Sequence, residues 1–538
     1  MNHLLSALLS CLVCCGIAAT SSAAPAAAPS ETALQDLRRA IDLVDATMQH
    51  GFSGSASTLR MYDTYNTQTQ QGAGTADVWP YTAAIEAHCS VLEALDALKD
   101  DAPELYAATR DRFATRLKQL YDCLDFYRGT YTLYSYAQVR TWSIYGVHRS
   151  GTRGTAAVTG IENVYDDQMW LCRELVRAYR LTGDDAYLTK AEYLANYCID
   201  GWDCCLDPNG QEYGGITWGP GYNSKHACSN APLIQPLVWL YEIFKTDDEP
   251  ANLRYFYILP DGTRTNEMRR HSDVYLDFAR KIYAWQKKML YNQSTGVYWD
   301  MLGAPGELKY VGEGRNRYRD HVDTGGPTGT AYTYNTGTML AGAAELWRVT
   351  GEDIYKADLN TVSQKSFNYF AKGKRIDGVV FRQWPIDAKA EEGFNTWFDN
   401  VLMRAYVDVC PYNTTLYNGK PYAQNALESF QQNLDYAYDH YARASMLPIN
   451  LLEGWDVSTG NPDVTKGFHQ MAFASELAML AVWHQRQAQA AAAVSAPRAA
   501  TSEAGTYYQL SGRAVGSDPD TLPRGLYVAK GRKVIITN

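Results

Sequence analysis

Two segments of this sequence share one plan: an amphipathic helical stretch, a stop at Thr-Gly followed by an acidic residue, and a second helical stretch. In the first segment the pattern of residues 166–181 has a period of 3.6, and Gly183 follows at a position where glycine can adopt the left-handed conformation that ends a helix. A second helix is predicted over residues 186–199. Residues 337–349 repeat the pattern, and Thr350-Gly351-Glu352-Asp353 precedes another helix from Ile354. The chain is therefore predicted to be built from helical hairpins.

Weaker copies of this unit begin at four further positions, near Trp79, Leu233, Asn395 and His469. Together they give about six helical pairs, which can stack as an open solenoid or close into a toroid. The loops before the predicted inner helices, such as 214–230 and 324–335, are rich in glycine, aromatic residues and aspartate. Loops of this kind converge on one face and form a pocket there. We therefore expect an all-α fold, an (α/α)6 barrel.

Composition excludes several classes of protein. Of the 538 residues, 46% are hydrophobic and 20% are charged, which is typical of a globular chain with a large core. The net charge of -10 and the lack of a basic run exclude nucleic acid as a partner. The 40 tyrosines and 13 tryptophans fit either stacking on carbohydrate or an aromatic-rich core.

Both ends of the chain differ from its main body. Residues 1–23 form an apolar segment that ends in Ser21-Ser22-Ala23, which predicts a signal peptide, and an Ala/Pro-rich linker (24–31) follows. The main domain is predicted over 32–488, a second linker over 489–505 and a short β-rich tail over 506–538. The tail resembles the C-terminal sorting domains of some exported Gram-negative proteins. We expect an exported protein at the cell surface, in the periplasm or outside the cell, with contact to a membrane only through this tail or a lipid on Cys11.

The cysteines give no clear metal motif. Three of the 11 lie in the predicted signal peptide and eight remain in the mature chain. Cys198, Cys204, Cys205 and Cys228 lie near His226, but their spacing does not match a zinc site. We expect buried thiols or one local disulfide, no metal and no cofactor.

The acidic pair Asp166-Asp167 at the start of a predicted inner helix is the main candidate for catalysis. Such a pair commonly caps a helix and complements its dipole. The alternative is chemical, because a retaining glycosidase needs two carboxyl groups about 5 Å apart. Consecutive residues diverge by about 100° in a regular helix, so this interpretation requires the pair to lie where loop becomes helix. Like charges so close would leave one carboxyl protonated, without indicating which.

Seven further residues are candidates for binding a sugar. The tryptophans among them lie where inner helices are predicted to begin and could stack on a sugar ring, although they could equally be core residues. The polar candidates could bind hydroxyl groups or instead cap and brace loops. The seven are Trp79, Trp218, Trp397, Asn230, Asp323, Tyr334 and Asn335.

The segment Asp166-Asp167-Gln168-Met169-Trp170, followed by residues 177–184, resembles the signature of glycoside hydrolase family 76, the α-1,6-mannanases. Later segments agree in the order found in that family: 201–203, 214–218, 225–230 and 332–337. Thr217 and Trp218 stand where two aromatic residues are common, and residues 223–228 vary the usual polar motif, so subsite preferences stay open. Residues 249–270 resemble an insertion that could lengthen a cleft wall.

This resemblance implies an (α/α)6 barrel that cleaves α-1,6-linked mannan with retention, with Asp166 as the nucleophile and Asp167 as the general acid/base. The expected partner is α-mannan, bound by an endo-acting monomer. Two alternatives remain: a transglycosylase that passes the sugar to another glycan, and a surface glycan-binding protein without turnover.

Overall fold

The computed structural model describes residues 31–387, 393–455 and 463–495, together with five short segments near the C-terminus: 507–509, 514–516, 521–523, 525–529 and 532–536. The predicted signal peptide and all but the last residue of the predicted linker 24–31 lie outside the described residues. The predicted linker 489–505 begins too early, because residues 489–495 continue a helix, and its remaining residues lie outside the described part of the chain. Residues 28–488 form one compact unit, and the residues from Gln489 onward belong to a second.

The described residues contain twelve α-helices. They are α1 (Glu31–His50), α2 (Val78–Ala97), α3 (Pro103–Cys123), α4 (Tyr165–Thr182), α5 (Asp185–Asp200), α6 (Ile234–Phe244), α7 (His271–Leu290), α8 (Thr333–Thr350), α9 (Asp353–Phe370), α10 (Thr396–Val409), α11 (Tyr422–Tyr441) and α12 (Gly467–Ser495). Short 3-10 helices cover Leu124–Phe126, Gly160–Glu162, Ala231–Leu233 and Gly314–Asn316. No helix among the described residues combines the length and the apolar character that crossing a bilayer requires.

The helices form an (α/α)6 barrel, as predicted. The even-numbered helices α2 to α10 are buried on most sides and form the inner ring, whereas outer helices such as α5 bury one stripe. The inner helix α12 closes the ring, since Ser475 hydrogen-bonds Ser90 of α2 at 2.8 Å and His469 hydrogen-bonds Thr396 of α10 at 2.6 Å. The outer helix α1 completes the sixth pair, with Asp36 lying 3.9 Å from His484 of α12.

The repeated Thr-Gly stop works as predicted. Gly183 and Gly351 adopt φ values of +70° and +69°, and their N–H groups donate to the carbonyls of Tyr179 and Trp347.

A third glycine, Gly337, allows two inner helices to pack closely. A Cβ at Gly337 would lie 2.8 Å from the Cα of Leu402, so its absence lets α8 and α10 approach closely.

Short strands lie in the loops between the helices and in the C-terminal segments. In chain order they are β1 (Phe52–Ser53), β2 (Arg60–Met61), β3 (Thr64–Asn66), β4 (Gln71–Ala73), β5 (Arg128–Tyr134), β6 (Val139–Tyr145), β7 (Lys225–His226), β8 (Leu253–Ile258), β9 (Arg264–Arg269), β10 (Met301–Leu302), β11 (Tyr310–Val311), β12 (Tyr318–Arg319), β13 (Pro327–Thr328), β14 (Lys372–Ile376), β15 (Val379–Gln383), β16 (Leu416–Tyr417), β17 (Lys420–Pro421), β18 (Val464–Thr465), β19 (Tyr507–Gln509), β20 (Ala514–Gly516), β21 (Gly525–Ala529) and β22 (Arg532–Ile536). The longest pairs are the antiparallel hairpins β5–β6 and β8–β9, followed by β14–β15 and β21–β22. The predicted insertion at 249–270 contains the hairpin β8–β9.

The second unit contains the predicted β-rich tail. Its four strands form one antiparallel sheet in the order β20-β19-β21-β22. Leu522, Tyr527 and Ile536 form a small hydrophobic cluster on this sheet.

Candidate active site

The acidic pair lies in the first turn of α4, where the chain changes from loop to helix. The N-cap residue is Val164, in extended conformation and with no side-chain cap bond, so neither aspartate is the N-cap. The N–H of Tyr165 donates to the carbonyl of Trp218 at 2.8 Å. The glycine-rich loop 214–230 therefore fixes the backbone from which both carboxyl groups project.

Asp167 is buried and Asp166 is half-buried, and each carboxyl group has a buried oxygen that is not hydrogen-bonded. Among the residues that the structure describes, Asp166 Oδ1 and Asp167 Oδ2 have no hydrogen-bond partner. A buried polar atom without a partner costs roughly 1–3 kcal/mol. One such atom does not mark a site, since Asp36, Asp399 and Glu476 each have one too, but two on consecutive carboxyl groups are what a site that binds a ligand through both groups requires.

The two carboxyl groups differ in how they hold a proton. Burial raises the pKa of Asp166 to about 6, although hydrogen bonds from the Cys228 thiol and from the backbone at the helix start lower it, and Asp300 adds to the rise. Burial raises the pKa of Asp167 well above the usual range, and the neighbouring charges of Asp166 and Asp77 raise it further. Near neutral pH the pair therefore keeps one proton, held by Asp167, while Asp166 is the anion.

Two acids beside the pair were missed by the sequence analysis. Burial raises the pKa of Asp300 to about 6, while hydrogen bonds from Tyr334, at 3.3 Å, and Asn335 lower it. Nothing in the sequence marks Asp300, because one acid after two aromatic residues is common in loops. Asp77 is the N-cap of α2. Its place just before a predicted inner helix could have identified it.

A buried ion pair supports the loops around the site. Lys225 Nζ lies 2.7 Å from Asp203 Oδ2 and 2.6 Å from the carbonyl of Gly214, and His321 Nδ1 lies 2.7 Å from the same carboxyl oxygen. Arg319 donates to the carbonyl of Pro220 at 3.1 Å and to Asn223 Oδ1 at 3.2 Å. These contacts hold segments 201–203, 214–218 and 225–230 in place.

The predicted tryptophans lie in different settings. Trp79 is half-buried, with its ring centre 5.6 Å from that of Trp397. Trp397 is buried and its indole N–H donates to Glu86 at 3.1 Å. Trp218 is half-buried and stacks on His226 with 4.8 Å between ring centres. Their roles in binding a sugar stay predictions.

The polar residues predicted to bind a sugar also differ in their positions and contacts. Tyr334 and Asn335 lie in the first turn of α8, which begins four residues earlier than predicted, and both contact Asp300 beside the acidic pair. Asn230 is fully buried, donates to the carbonyls of Ile216 and His226, and accepts from the N–H of Ile216. Its side chain thus braces the loop. The side chain of Asp323 is 92% exposed. Whether any of these residues binds a sugar stays a prediction.

The cysteines near the site are thiols. All eight cysteines within the described residues are free, seven of them buried. Within the same residues, no group of three or more His, Cys, Asp and Glu side chains could hold a metal ion.

Comparison with known proteins gives a consistent match. The model of Glycosyl hydrolase family 76 matches residues 146–250 and 267–493. The mannan endo-1,6-alpha-mannosidase DCW1 of Saccharomyces cerevisiae is 26% identical to this chain over 222 residues. The mannan endo-1,6-alpha-mannosidase DFG5 of Candida albicans is 22% identical to it over 217 residues. These matches cover 40% and 39% of this chain, and they span 39% of the length of each relative.

Solved structures share the fold. The family 76 mannosidase Bt3792 of Bacteroides thetaiotaomicron is 19% identical, with a TM-score of 0.59 over 84% of this chain and all of that one. The alpha-1,6-mannanase GH76A of a Salegentibacter species is 20% identical, with a TM-score of 0.51 over 83% of this chain and 99% of that one. An inactive variant of that mannanase, with two consecutive aspartates replaced by alanine, was solved with an alpha-1,6-linked mannotetraose.

Proposed function

Because the chain belongs to glycosyl hydrolase family 76, we propose that it is an enzyme that cleaves α-1,6-mannosidic linkages within mannan. One observation carries the proposal: two consecutive carboxyl groups that each have a buried oxygen without a hydrogen-bond partner among the described residues. An oxygen in this state is free to act in a reaction, because no group of the described residues hydrogen-bonds it.

We propose a retaining mechanism in which the two aspartates have separate roles. Asp166 is the anion, so its carboxylate attacks the anomeric carbon while the bond from that carbon to the leaving oxygen breaks. Asp167 carries the proton and donates it to the leaving oxygen. In the second step, the Asp167 carboxylate takes a proton from water. The resulting hydroxide attacks the anomeric carbon and releases Asp166.

The relatives support the substrate and the mode of cleavage. The two curated relatives are named as endo-acting mannosidases, and the inactive mannanase variant changes two consecutive aspartates. In this chain, the acidic pair Asp166-Asp167 lies in the segment 166–170, which resembles the family signature and falls within the matched residues. The pKa order of the pair favours the assignment of Asp166 as nucleophile.

We also propose that the protein is exported and acts as a monomer. The apolar segment before Ser21-Ser22-Ala23 supports removal of residues 1–23 by a signal peptidase. Comparing the mass of the secreted protein with that of the full chain tests the export, and light scattering tests the monomer.

The activity is tested by digesting debranched α-1,6-mannan and separating the products by chromatography. We expect a ladder of oligosaccharides, and a loss of at least about 10³-fold in rate for Asp166→Asn and for Asp167→Asn. Asp36→Asn is a matched control, since Asp36 is a buried carboxyl with an unpaired oxygen among the described residues but lies on the outer helix α1. It should cleave at the wild-type rate.

Three results would contradict the proposal. Mannose as the sole product would exclude endo action. Longer glycans formed in the presence of an acceptor, with little hydrolysis, would favour a transglycosylase. Mannan binding without any product would favour a glycan-binding protein.

A further inference from the structure

A cavity, which we call the outer-wall cavity, opens on the outer side of the barrel. It has a volume of about 420 Å³ and lies between hairpins β5–β6 and β8–β9, the end of α5 and the first turns of α7. This volume is typical of pockets that hold small ligands, which measure about 300–1,000 Å³. None of the residues assigned above to cleavage or to sugar binding lines it.

Nine of the sixteen residues that line this cavity, those on the two hairpins, lie outside the family match, and the other seven, on and after α5 and on α7, lie within it. That match begins at residue 146, after β6 ends, and it omits residues 251–266, which contain β8 and the turn that follows. Hairpin β8–β9 thus lies mostly between the two matched segments, and hairpin β5–β6 lies before the first of them, as do α1 to α3 of the barrel. The wall that β8 contributes to the outer-wall cavity is therefore outside the part of the chain that the family model matches.

Hairpin β8–β9 is fixed against the barrel. Arg264 donates to the carbonyl of Tyr136 at 2.9 Å, and its guanidinium lies 4.7 Å from the ring centre of Tyr318. The ring of Tyr255 packs against Phe278 of α7 with 6.0 Å between ring centres. These contacts tie both ends of the hairpin, so the cavity is formed before any ligand arrives.

The lining combines aromatic surface with hydrogen-bonding groups. Asp200 accepts from Ser135 at 2.6 Å, from Gln138 at 2.9 Å and from Trp142 at 3.2 Å. The guanidinium of Arg140 lies 3.9 Å from the ring centre of Trp142. On β8, Arg254 is exposed and Phe256 is half-buried, and both line the cavity.

A neutral ligand rich in hydroxyl groups matches this lining. A purely apolar ligand would cover the guanidinium groups of Arg140 and Arg254 without compensating hydrogen bonds. An anion would be attracted by Arg140 and Arg254 but repelled by Asp200. A sugar offers a flat apolar face for an aromatic ring and hydroxyl groups that both donate and accept.

We propose that the outer-wall cavity is a second saccharide-binding site, which holds a segment of the polysaccharide away from the reacting bond. The identity of the sugar as α-mannan rests on the proposed function. Because the site would bind a part of the polymer that is not cleaved, it would raise affinity for long chains and leave the cleavage of short ones unchanged.

The test compares a double variant, Arg254→Ala with Phe256→Ala, with the control Met268→Ala. Met268 faces Arg254 in the register of the same hairpin, is 49% exposed and does not line the cavity. Binding to long α-1,6-mannan is measured by affinity electrophoresis in full chains that also carry Asp167→Asn. The same changes in the active protein are assayed on long mannan and on mannotetraose.

We expect the double variant to bind long mannan about tenfold more weakly and to show a higher KM on it. On mannotetraose it should match the wild type, and Met268→Ala should match it throughout. Unchanged binding of long mannan by a variant with the wild-type melting temperature would overturn the proposal. If the double variant does not fold, Arg254→Ala alone gives the same test, because its side chain is exposed.

Further measurements distinguish a failure of this proposal from a failure of the proposed function. The binding assay requires no cleavage, so an inactive protein can still support the site. Loss of mannan binding on addition of inorganic phosphate would overturn the saccharide assignment in favour of an anion site. Binding of an α-1,4-glucan that depends on Arg254 and Phe256, without any binding of mannan, would overturn the mannan assignment.

Discussion

Helix α4 carries acidic residues that are paired with arginines and acidic residues that are not. In its first turn, Asp167 is buried and Asp166 is half-buried, and neither forms an ion pair with a cation in the described part of the chain. Two turns later, Glu174 lies 2.7 Å from Arg177 and also pairs with Arg173. The same helix thus contributes to a site and to a scaffold, and the presence of cations separates the two.

The paired group continues across the barrel. Glu86 of α2 lies 2.5 Å from Arg404 of α10 and 3.8 Å from Arg173. Burial disfavours its charge, but the arginines prevail and lower its pKa to about 2. Arginines thus hold Glu86 as a permanent anion that ties inner helices together, whereas burial leaves the Asp166-Asp167 pair able to exchange protons near neutral pH.

The largest effect on stability is expected in the paired group. Replacing Arg404 with methionine leaves Glu86 buried with less compensation and should lower the free energy of unfolding by about 3–5 kcal/mol. The measurement is chemical denaturation followed by circular dichroism. The control is Arg348→Met, because the side chains of Arg348 and its partner Glu242 are 35% and 33% exposed, so the loss should stay below about 1 kcal/mol. Equal losses in the two variants would remove the distinction between scaffold and surface ion pairs.

A change of opposite sign is expected in the unpaired group. The folded state raises the pKa of Asp166 from 3.8 to about 6, so the folded protein binds this proton more tightly than the unfolded chain. Stability is therefore lost as the pH rises from about 4 to above 6, on the order of 1–3 kcal/mol.

The variant Asp166→Asn has no carboxyl group at this position, so it lacks this pH-dependent loss of stability. The variant should be more stable than the wild type at pH 7, and the difference should shrink at pH 4. Thermal unfolding at the two pH values measures both. A variant that is less stable than the wild type at pH 7 would show that the Asp166 carboxylate serves the scaffold.

The smallest effect concerns Cys228. Its thiol hydrogen-bonds the Asp166 carboxyl and lowers its pKa, so Cys228→Ala should raise that pKa. The acid limb of the profile of kcat/KM against pH should then move upward by up to about one unit, a loss of at most about tenfold at pH 5. Cys89→Ala is the matched control, because that buried thiol contacts the carbonyl of Glu174. A shift of similar size in both variants would assign the effect to packing.

The sequence predicted the parts of the fold that have a local cause. Helix ends at Gly183 and Gly351 follow from a backbone conformation that glycine favours, and the inner and outer helices follow from periodicity. The start of α8 was placed four residues late, at Gly337. Thr333, Tyr334 and Asn335 have no apolar period, and tertiary packing makes them helical.

The site could be predicted only where its residues are adjacent in the chain. Asp166 and Asp167 form a visible pair, whereas Asp300 joins them through the return of a loop some 130 residues later. The outer-wall cavity was equally invisible, because it needs two hairpins that are distant in sequence. The suggestion that residues 249–270 form a wall came from length and not from any contact.

The central claim is that Asp166 and Asp167 cleave a mannosidic bond with retention. Proton NMR of the first products from an α-1,6-linked mannotetraose, recorded before mutarotation, tests it directly. We predict that the α-anomer forms first with the wild type and that neither anomer forms with Asp166→Ala. Initial release of the β-anomer, or an Asp166→Ala variant as active as the wild type, would contradict the account.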